Sequence, residues 1–147
     1  MAELVVVVAI LGLITAVGVP TLWTYLRGAT LRAAAEEAVA VLNGARHLAI
    51  RMNTTVCVRN DGTRAQYHVG SCAAPAWTGV GTDASGNIRL ANGVRLSGSP
   101  MLCFNALGAG AATPSPCAAN GTFLVTAAAG GDTLSVIMAT SGRLRIQ

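Results

Sequence analysis

Residues 1–22 read MAELVVVVAILGLITAVGVPTL, and this stretch decides what kind of fold the chain can have. No charged residue occurs between Leu4 and Leu26. A helix rises about 1.5 Å per residue, so such a stretch is long enough to cross a hydrocarbon core about 30 Å thick. The sequence therefore predicts a membrane-spanning helix at the front of the chain, with one carboxylate, Glu3, at its start.

A cleaved signal peptide is the main alternative for this stretch. It would begin with basic residues, have a shorter apolar core and end in a small-residue cleavage site. Here the front is acidic and the apolar run is longer. Trp23 and Tyr25 are placed as an aromatic belt at a membrane surface would be, and Arg27 is the first cation after the run. We expect the segment to reach water near residues 23–27.

The helical pattern continues past this boundary. Small and apolar residues recur at steps of three and four, which is typical of a helix with one buried face. This stripe consists of Leu31, Ala35, Ala38, Leu42, Ala45, Ala49 and Met52. We therefore predict a single helix over residues 2–52, with Gly18 and Pro20 at the point where it kinks or melts.

After the helix the pattern changes to alternation, which predicts strands. Residues 54–69, TTVCVRNDGTRAQYHV, read as two strands joined by a turn at Asn60, Asp61 and Gly62. Further strands are predicted over residues 88–90, 94–96, 101–105, 122–127, 133–140 and 143–147. Turns are predicted at residues 92–93, 130–132 and 141–142, and loops over residues 70–87 and 106–121.

These elements predict an α+β fold, in which a long N-terminal helix packs on a small antiparallel head made of one sheet or a pair of sheets. Residues 1–26 form the hydrophobic, transmembrane part of the helix, residues 27–52 its amphipathic half, and residues 53–147 the β-rich head. A chain of 147 residues has little room for a second domain.

Four cysteines, Cys57, Cys72, Cys103 and Cys117, lie in the predicted head. They form no CxxC pair and have no histidine near them at metal-ligand spacing, which favours disulfides over a metal site. Four cysteines allow three connectivities, of which the most local joins Cys57 to Cys72 and Cys103 to Cys117. Disulfides imply an oxidising compartment, either the periplasm or the cell surface.

The sequence contains no catalytic constellation, no metal site and no cofactor motif that we can identify. His47 and His68 are isolated, and the glycine-rich GVGTDASG (79–86) follows no apolar strand and opens no helix. Ten arginines and no lysine, against six acids, give a net charge of +4, and such mild basicity more often serves solubility than polyanion binding. A membrane-anchored periplasmic enzyme is therefore the least supported function.

Glu3 is the anomaly of the first stretch, because an ionisable group at the end of a spanning segment is costly in lipid and usually has a partner. It either reaches the headgroup level or pairs with a cation on another chain. Residues 2–20, AELVVVVAILGLITAVGVP, resemble the N-terminal signature of type IV pilins and pseudopilins and align Glu3, Gly12 and Pro20 with it without gaps. In that family the glutamate pairs with the N-terminal amine of a neighbouring subunit during filament assembly, so the resemblance implies this role for Glu3.

The resemblance also implies a precursor that is longer than this sequence. The family's leader, the glycine at its cleavage site and the first two mature residues are absent, and Met1 falls where the third mature residue should be. We therefore expect an earlier native start, and a prepilin peptidase that acts on the full-length precursor.

Two further matches narrow the resemblance to the FimT/GspH group of minor pilins and minor pseudopilins. That group has an Ala-Arg-x-x-Ala-Ile-x-x-Asn pattern before its first strand, which is supplied here by Ala45, Arg46, Ala49, Ile50 and Asn53. The chain end SGRLRIQ (141–147) resembles the group's terminal Gly-Arg-x-Arg motif.

Arg143 and Arg145 are the candidate DNA-binding residues. In a strand they would point to one face while Leu144 and Ile146 face the core, and two adjacent guanidinium groups can grip neighbouring phosphates. In some FimT-like minor pilins this motif is associated with DNA binding during natural transformation, so the resemblance implies a contact with double-stranded DNA. The alternative is that the two arginines keep an edge strand soluble.

The function that the resemblance implies is structural. The chain would be a minor pilin or pseudopilin, held as a single pass in the inner membrane with its head in the periplasm. It would then be built into a type IV pilus or a type II secretion pseudopilus, in the periplasm or at the cell surface, where it packs its helix among those of other subunits and primes assembly. A FimT-like DNA receptor for natural transformation is the alternative.

Overall fold

The structure, a computed structural model, describes residues 2–90, 95–98, 101–126 and 132–147. Helix α1 runs over Ala2–Met52, which confirms the single helix predicted for residues 2–52. The chain forms two compact units, Met1–Thr30 and Leu31–Gln147. The second unit contains the later part of α1 together with the strands of the head.

Helix α1 ends in a hydrogen-bonded stop. Asn53 follows the helix with a positive φ of 48°. The backbone N–H of Thr54 donates to the carbonyl of Ala49, and that of Asn53 donates to the carbonyl of Ile50, both at 3.2 Å. This is the Schellman arrangement, in which a left-handed residue after the helix lets the last carbonyls find donors. Asn53 is thus the residue that stops the helix and turns the chain toward the first strand.

We expect Asn53→Ala to lower the free energy of unfolding of the head by about 1 kcal/mol, because Ala has a Cβ that disfavours positive φ and no side chain to compensate. Asn53→Gly should lose much less, since Gly adopts this conformation freely. Guanidinium denaturation of the full chain in a neutral detergent, followed by near-UV circular dichroism, measures both. Equal losses in the two variants would contradict the left-handed stop.

Eight strands lie among the described residues, at β1 (Val56–Asn60), β2 (Arg64–Val69), β3 (Asn87–Arg89), β4 (Arg95–Gly98), β5 (Met101–Phe104), β6 (Gly121–Thr126), β7 (Thr133–Met138) and β8 (Leu144–Ile146). They form two four-stranded sheets, with the orders β3-β2-β1-β5 (sheet A) and β4-β6-β7-β8 (sheet B). Every strand pair is antiparallel. Of the two arrangements left open by the sequence, the head therefore has the pair of sheets.

One hydrophobic core joins the helix stripe to the inner faces of both sheets. Sheet A contributes Val58, Tyr67 and Phe104, and sheet B contributes Phe123 and Val136. The predicted stripe is buried from Leu31 to Ala49, with Ala34, Val41 and Leu48 buried beside it. Met52, predicted to be the last member of the stripe, is 47% exposed. That part of the prediction is wrong, because the helix ends at Met52 and the chain turns away to β1.

The predicted strands agree with the observed ones apart from their ends. The predicted hairpin turn is confirmed at Asp61 and Gly62, with Gly62 at a φ of 65°, whereas Asn60 is the last residue of β1 and pairs with Ala65. The strand predicted over residues 133–140 ends at Met138, and the one predicted over 143–147 is shorter, at Leu144–Ile146. The turn predicted at residues 92–93, and residues 130–131 of the next one, lie outside the described residues.

A second, smaller core covers the outer face of sheet A, where β1 and β5 place Cys57 opposite Cys103. Disulfides join Cys57 to Cys72 and Cys103 to Cys117, which is the most local of the three connectivities. Each closes a loop of about 15 residues, worth up to roughly 3 kcal/mol in the chain-entropy account. The two bonds fasten the two long loops of the head onto the same pair of strands.

Candidate functional site

The first candidate surface is the apolar part of α1, from Leu4 to Leu26. Its large apolar side chains are exposed, Leu4 by 69% and Leu13 by 71%. A contiguous apolar surface of this kind marks contact with lipid or with another protein. By length and composition alone, α1 also qualifies as a helix that can cross a membrane.

The threonine hydroxyls of this segment are bonded within the helix. Each donates to backbone carbonyls three and four residues earlier, Thr15 to Leu11 and Gly12, Thr21 to Val17 and Gly18, and Thr24 to Pro20 and Thr21. In lipid or in a packed helix bundle an unbonded hydroxyl would be costly, and these need no outside partner. Glu3 is the charged residue immediately before this segment.

The three predicted assembly residues lie on this helix at separate levels, so the structure does not bring them together. Glu3 is in the first turn, where the helix dipole favours a negative charge. Gly12 faces open space, since a Cβ there would meet no atom of the chain within 4 Å. Pro20 is inside the helix and cannot donate a backbone hydrogen bond. No contact inside the described part of the chain explains Gly12, and its role in assembly stays a prediction.

Arg143 and Arg145 are both exposed at the edge of sheet B. Arg145 pairs with Ile137 across β7 and β8, whereas Leu144 pairs with the buried Met138. Arg143 precedes β8, so strand alternation does not fix its direction. Ile146 shares the inner side with Leu144 but is 38% exposed, because it ends an edge strand. Ile146 therefore faces the inner side as predicted, but it is not buried in the core.

Gly142, the glycine of the chain-end Gly-Arg-x-Arg motif, has a structural role. Gly142 is buried, has a φ of +78°, and a Cβ built on it would lie 2.2 Å from the carbonyl oxygen of Gly108. The backbone N–H of Gly110 also donates to the carbonyl of Thr140 at 2.9 Å. The turn before β8 is thus fitted closely against the loop that follows β5.

The outer face of sheet A carries a second group of arginines, which the sequence analysis did not single out. Arg64 and Arg89 face each other directly across β2 and β3, and Arg59 lies opposite Gln66 on the neighbouring pair of strands. All three arginines are exposed. The hairpin register could have placed Arg59 and Arg64 on one face, but Arg89 follows a long loop and its pairing has no local signal.

Tyr67 links sheet A to the helix. Its hydroxyl donates to the carbonyl of Val41 at 2.6 Å, in a gap that exists because Gly44 has no side chain. Its ring lies beside that of Trp77, with centroids 6.3 Å apart. Tyr67, Trp77 and the helix residues around Gly44 and Leu48 line a cleft of about 340 Å³.

Burial raises the pKa of Tyr67 from 10.0 to about 12. The unfolded chain therefore loses this proton near pH 10 and the folded chain near pH 12. The free energy of unfolding should be constant well below pH 10 and fall by up to about 2.7 kcal/mol above it, of which about 1.4 kcal/mol is reached at pH 11. Tyr67→Phe should unfold about 1 kcal/mol more easily at pH 8 and lack the fall. Denaturation of the full chain between pH 8 and 11, with Tyr25→Phe as the control that keeps the fall, measures this. A fall that persists in Tyr67→Phe would contradict it.

The two histidines have different surroundings. His68 is buried and its Nδ1 lies 2.6 Å from the carbonyl of Ala74, as expected for a packing histidine. His47 is exposed on α1 at the rim of the cleft. In the loop after Trp77, the Asp83 carboxylate accepts from the backbone N–H groups of Ser85 and Asn87, which makes GVGTDASG a capped turn. The hydrogen bond from the Asn87 backbone is the largest cause that holds the pKa of Asp83 below its usual value.

The sequence matches no protein-family model and no curated protein. Solved structures do match. The type IV minor pilin FimU of Pseudomonas aeruginosa aligns with a TM-score of 0.55 at 17% identity, over 84% of this chain and 92% of FimU. The minor pseudopilin EpsH from the Type 2 Secretion System of Vibrio cholerae aligns with a TM-score of 0.55 at 15% identity, over 79% of this chain and 94% of EpsH.

The chain has the fold of the minor pilins and minor pseudopilins. This confirms the predicted α+β fold, in which a long N-terminal helix packs on antiparallel sheets. This chain matches a pilus subunit and a secretion subunit with the same TM-score of 0.55. The fold therefore does not distinguish a type IV pilus subunit from a type II secretion subunit.

Proposed function

We propose that this chain is a minor subunit of a type IV pilus or of a type II secretion pseudopilus. Before assembly α1 holds it as a single pass in the inner membrane, with its head in the periplasm. The observation that carries the proposal is the exposed apolar surface from Leu4 to Leu26, on a chain with the minor pilin fold. A helix whose apolar side chains face outward needs lipid first and other helices later.

In the proposed mechanism the helix leaves the lipid and packs among the helices of neighbouring subunits. The bonded threonine hydroxyls let the segment enter a dry helix bundle without an unpaired threonine hydroxyl group. Glu3 then pairs with the N-terminal amine of a neighbour, which neutralises both charges in a medium of low dielectric. A prepilin peptidase would first process the full-length precursor to create that amine. The role is structural, and the chain catalyses no reaction.

The test compares a deletion strain with the same strain complemented by the native gene. Isolated filaments from the complemented strain should contain the chain, and deletion should reduce filament number or secretion. Leu11→Gln should lower the amount in filaments, because a polar group enters the packed helix surface. Leu107→Gln changes an 85% exposed leucine on the head and serves as the matched control. A chain that never leaves the membrane fraction would refute the proposal.

A DNA receptor is the second candidate function, and the exposure of both Arg143 and Arg145 at one sheet edge favours it. The assay is fluorescence anisotropy of the full chain in neutral detergent with duplex DNA across a salt series. Arg143→Gln with Arg145→Gln should weaken binding and reduce the salt slope by about 0.9 per lost phosphate contact. Arg64→Gln with Arg89→Gln removes the same charge from another exposed surface. Equal effects of the two pairs would reject a specific site at the chain end.

A further inference from the structure

The four cysteine sulfurs of the head form one cluster. All four Sγ atoms lie within 4.8 Å of one another. The sulfurs of different disulfides are in direct contact, at 3.2 Å for Cys72 and Cys117, 3.5 Å for Cys57 and Cys117, and 3.7 Å for Cys72 and Cys103. The fold thus collects into one place four ligands whose sequence spacing gave no sign of it.

The cluster has almost the dimensions of a tetrahedral metal site. A zinc–sulfur bond of about 2.3 Å places the four sulfurs of a tetrathiolate site roughly 3.8 Å apart. Three of the four sulfur pairs between the disulfides lie 3.2 to 3.7 Å apart, close to this length, and the fourth lies within 4.8 Å, so the largest change needed is the separation of the two bonded pairs. Cys57, Cys72 and Cys103 are buried, and Cys117 is half-buried, which leaves a side for an ion to enter.

We propose that the head, once its two disulfides are reduced, binds one Zn²⁺ ion through Cys57, Cys72, Cys103 and Cys117. Each disulfide takes two electrons from a reductant, either a dithiol or a phosphine, and yields two thiols. With a phosphine, water supplies the oxygen of the phosphine oxide and both thiol protons. Four sulfur–zinc bonds then form as four protons leave, and the zinc keeps its oxidation state.

Zinc is the metal that this donor set fits best, because four sulfur ligands in tetrahedral placement favour it over metals that prefer oxygen. His68 lies opposite Cys57 on β2, but among the described residues the side chains whose ligand atoms lie within 4.8 Å of one another are the four cysteines, so the four sulfurs are the ligand set. The disulfides and the metal would be alternative cross-links of the same strands and loops. The head could then be closed under reducing as well as oxidising conditions, whether or not the chain enters a filament.

The test uses the full chain in neutral detergent, reduced with tris(2-carboxyethyl)phosphine without oxygen and titrated with Co²⁺ as a spectroscopic probe. We expect one ion per chain, the visible absorption of a tetrahedral cobalt tetrathiolate, displacement by Zn²⁺ and release of about four protons. The zinc-loaded chain should melt at a higher temperature than the reduced, metal-free chain and regain its near-UV circular dichroism.

The controls separate the cluster from adventitious thiol binding. The oxidised chain should give no cobalt spectrum, and Cys117→Ser should weaken binding by roughly tenfold or more. Ser115→Ala, an exposed neighbour of Cys117, should bind as the wild type does. The proposal fails if cobalt binds with fewer than four sulfurs, if one ion bridges two chains, or if the zinc-loaded chain stays unfolded. None of these outcomes bears on filament assembly, which is tested separately.

Discussion

Glu3→Ala is expected to lower the amount of this chain in isolated filaments by roughly tenfold or more, while its amount in the membrane stays the same. The reason is that the neighbouring amine would be left without its partner among apolar helices, and breaking a buried ion pair in this way costs several kcal/mol. Quantitative immunoblots of filament and membrane fractions, from cells that carry the native gene, measure the ratio.

Two further variants sharpen this prediction. Glu3→Gln keeps the size of the side chain but not its charge, so it should fail as Glu3→Ala does. Glu36→Ala removes an exposed carboxylate from the later part of the same helix and should assemble within about twofold of the wild type, as expected for a surface charge. If Glu3→Ala enters filaments in the same amount as the wild type, the proposed ion pair is wrong.

Gly142→Ala is expected to lower the free energy of unfolding of the head by about 2 to 4 kcal/mol. A positive φ of 78° costs a residue with a Cβ about 1 to 2 kcal/mol, and the added atom would also lie 2.2 Å from the Gly108 carbonyl oxygen. The Cβ is fixed to the backbone of residue 142 and the oxygen belongs to the backbone of Gly108, so no side-chain rotation could relieve the contact and the turn before β8 would have to move. Denaturation of the full chain in neutral detergent measures the loss.

Gly81→Ala is the matched control, because Gly81 has a similar φ of 89° and a Cβ there would meet no atom within 4 Å. It should lose only the conformational part, about 1 to 2 kcal/mol. The difference between the two variants isolates the close approach at Gly142. If the two lose the same amount, the contact with Gly108 is not important. A large difference would assign the glycine of the terminal motif to folding and leave Arg143 and Arg145 available for binding.

The helix and the first hairpin could be predicted from the sequence because their signals are local. The buried stripe needs only the three-and-four spacing, and the hairpin needs only alternation around Asp61 and Gly62. The Ala-Arg-x-x-Ala-Ile-x-x-Asn pattern of residues 45–53 also has a local cause at its last position, because Asn53 is the left-handed residue that ends the helix. Met52 is exposed although it fits the spacing, because the spacing predicts which helix face is buried but not where along the helix the burial ends.

The division of strands into two sheets could not be predicted, because it depends on pairings between distant segments. β4 and β5 are consecutive in the chain but lie in different sheets, because β5 pairs with β1 and β4 pairs with β6. Those pairings place Cys57 opposite Cys103 and collect the four sulfurs. In the same way, Arg89 reaches Arg64 only after the long loop that precedes β3. Spacing along the chain carries no information about either cluster.

Photo-crosslinking within filaments would show whether the apolar part of α1 packs against other subunits. A photoreactive amino acid would replace Leu13, which is 71% exposed. We expect adducts with the helix of another pilin subunit in cells that assemble filaments, and loss of those adducts in cells in which assembly is blocked. Filaments that contain the chain but yield no adduct from this position would contradict this packing.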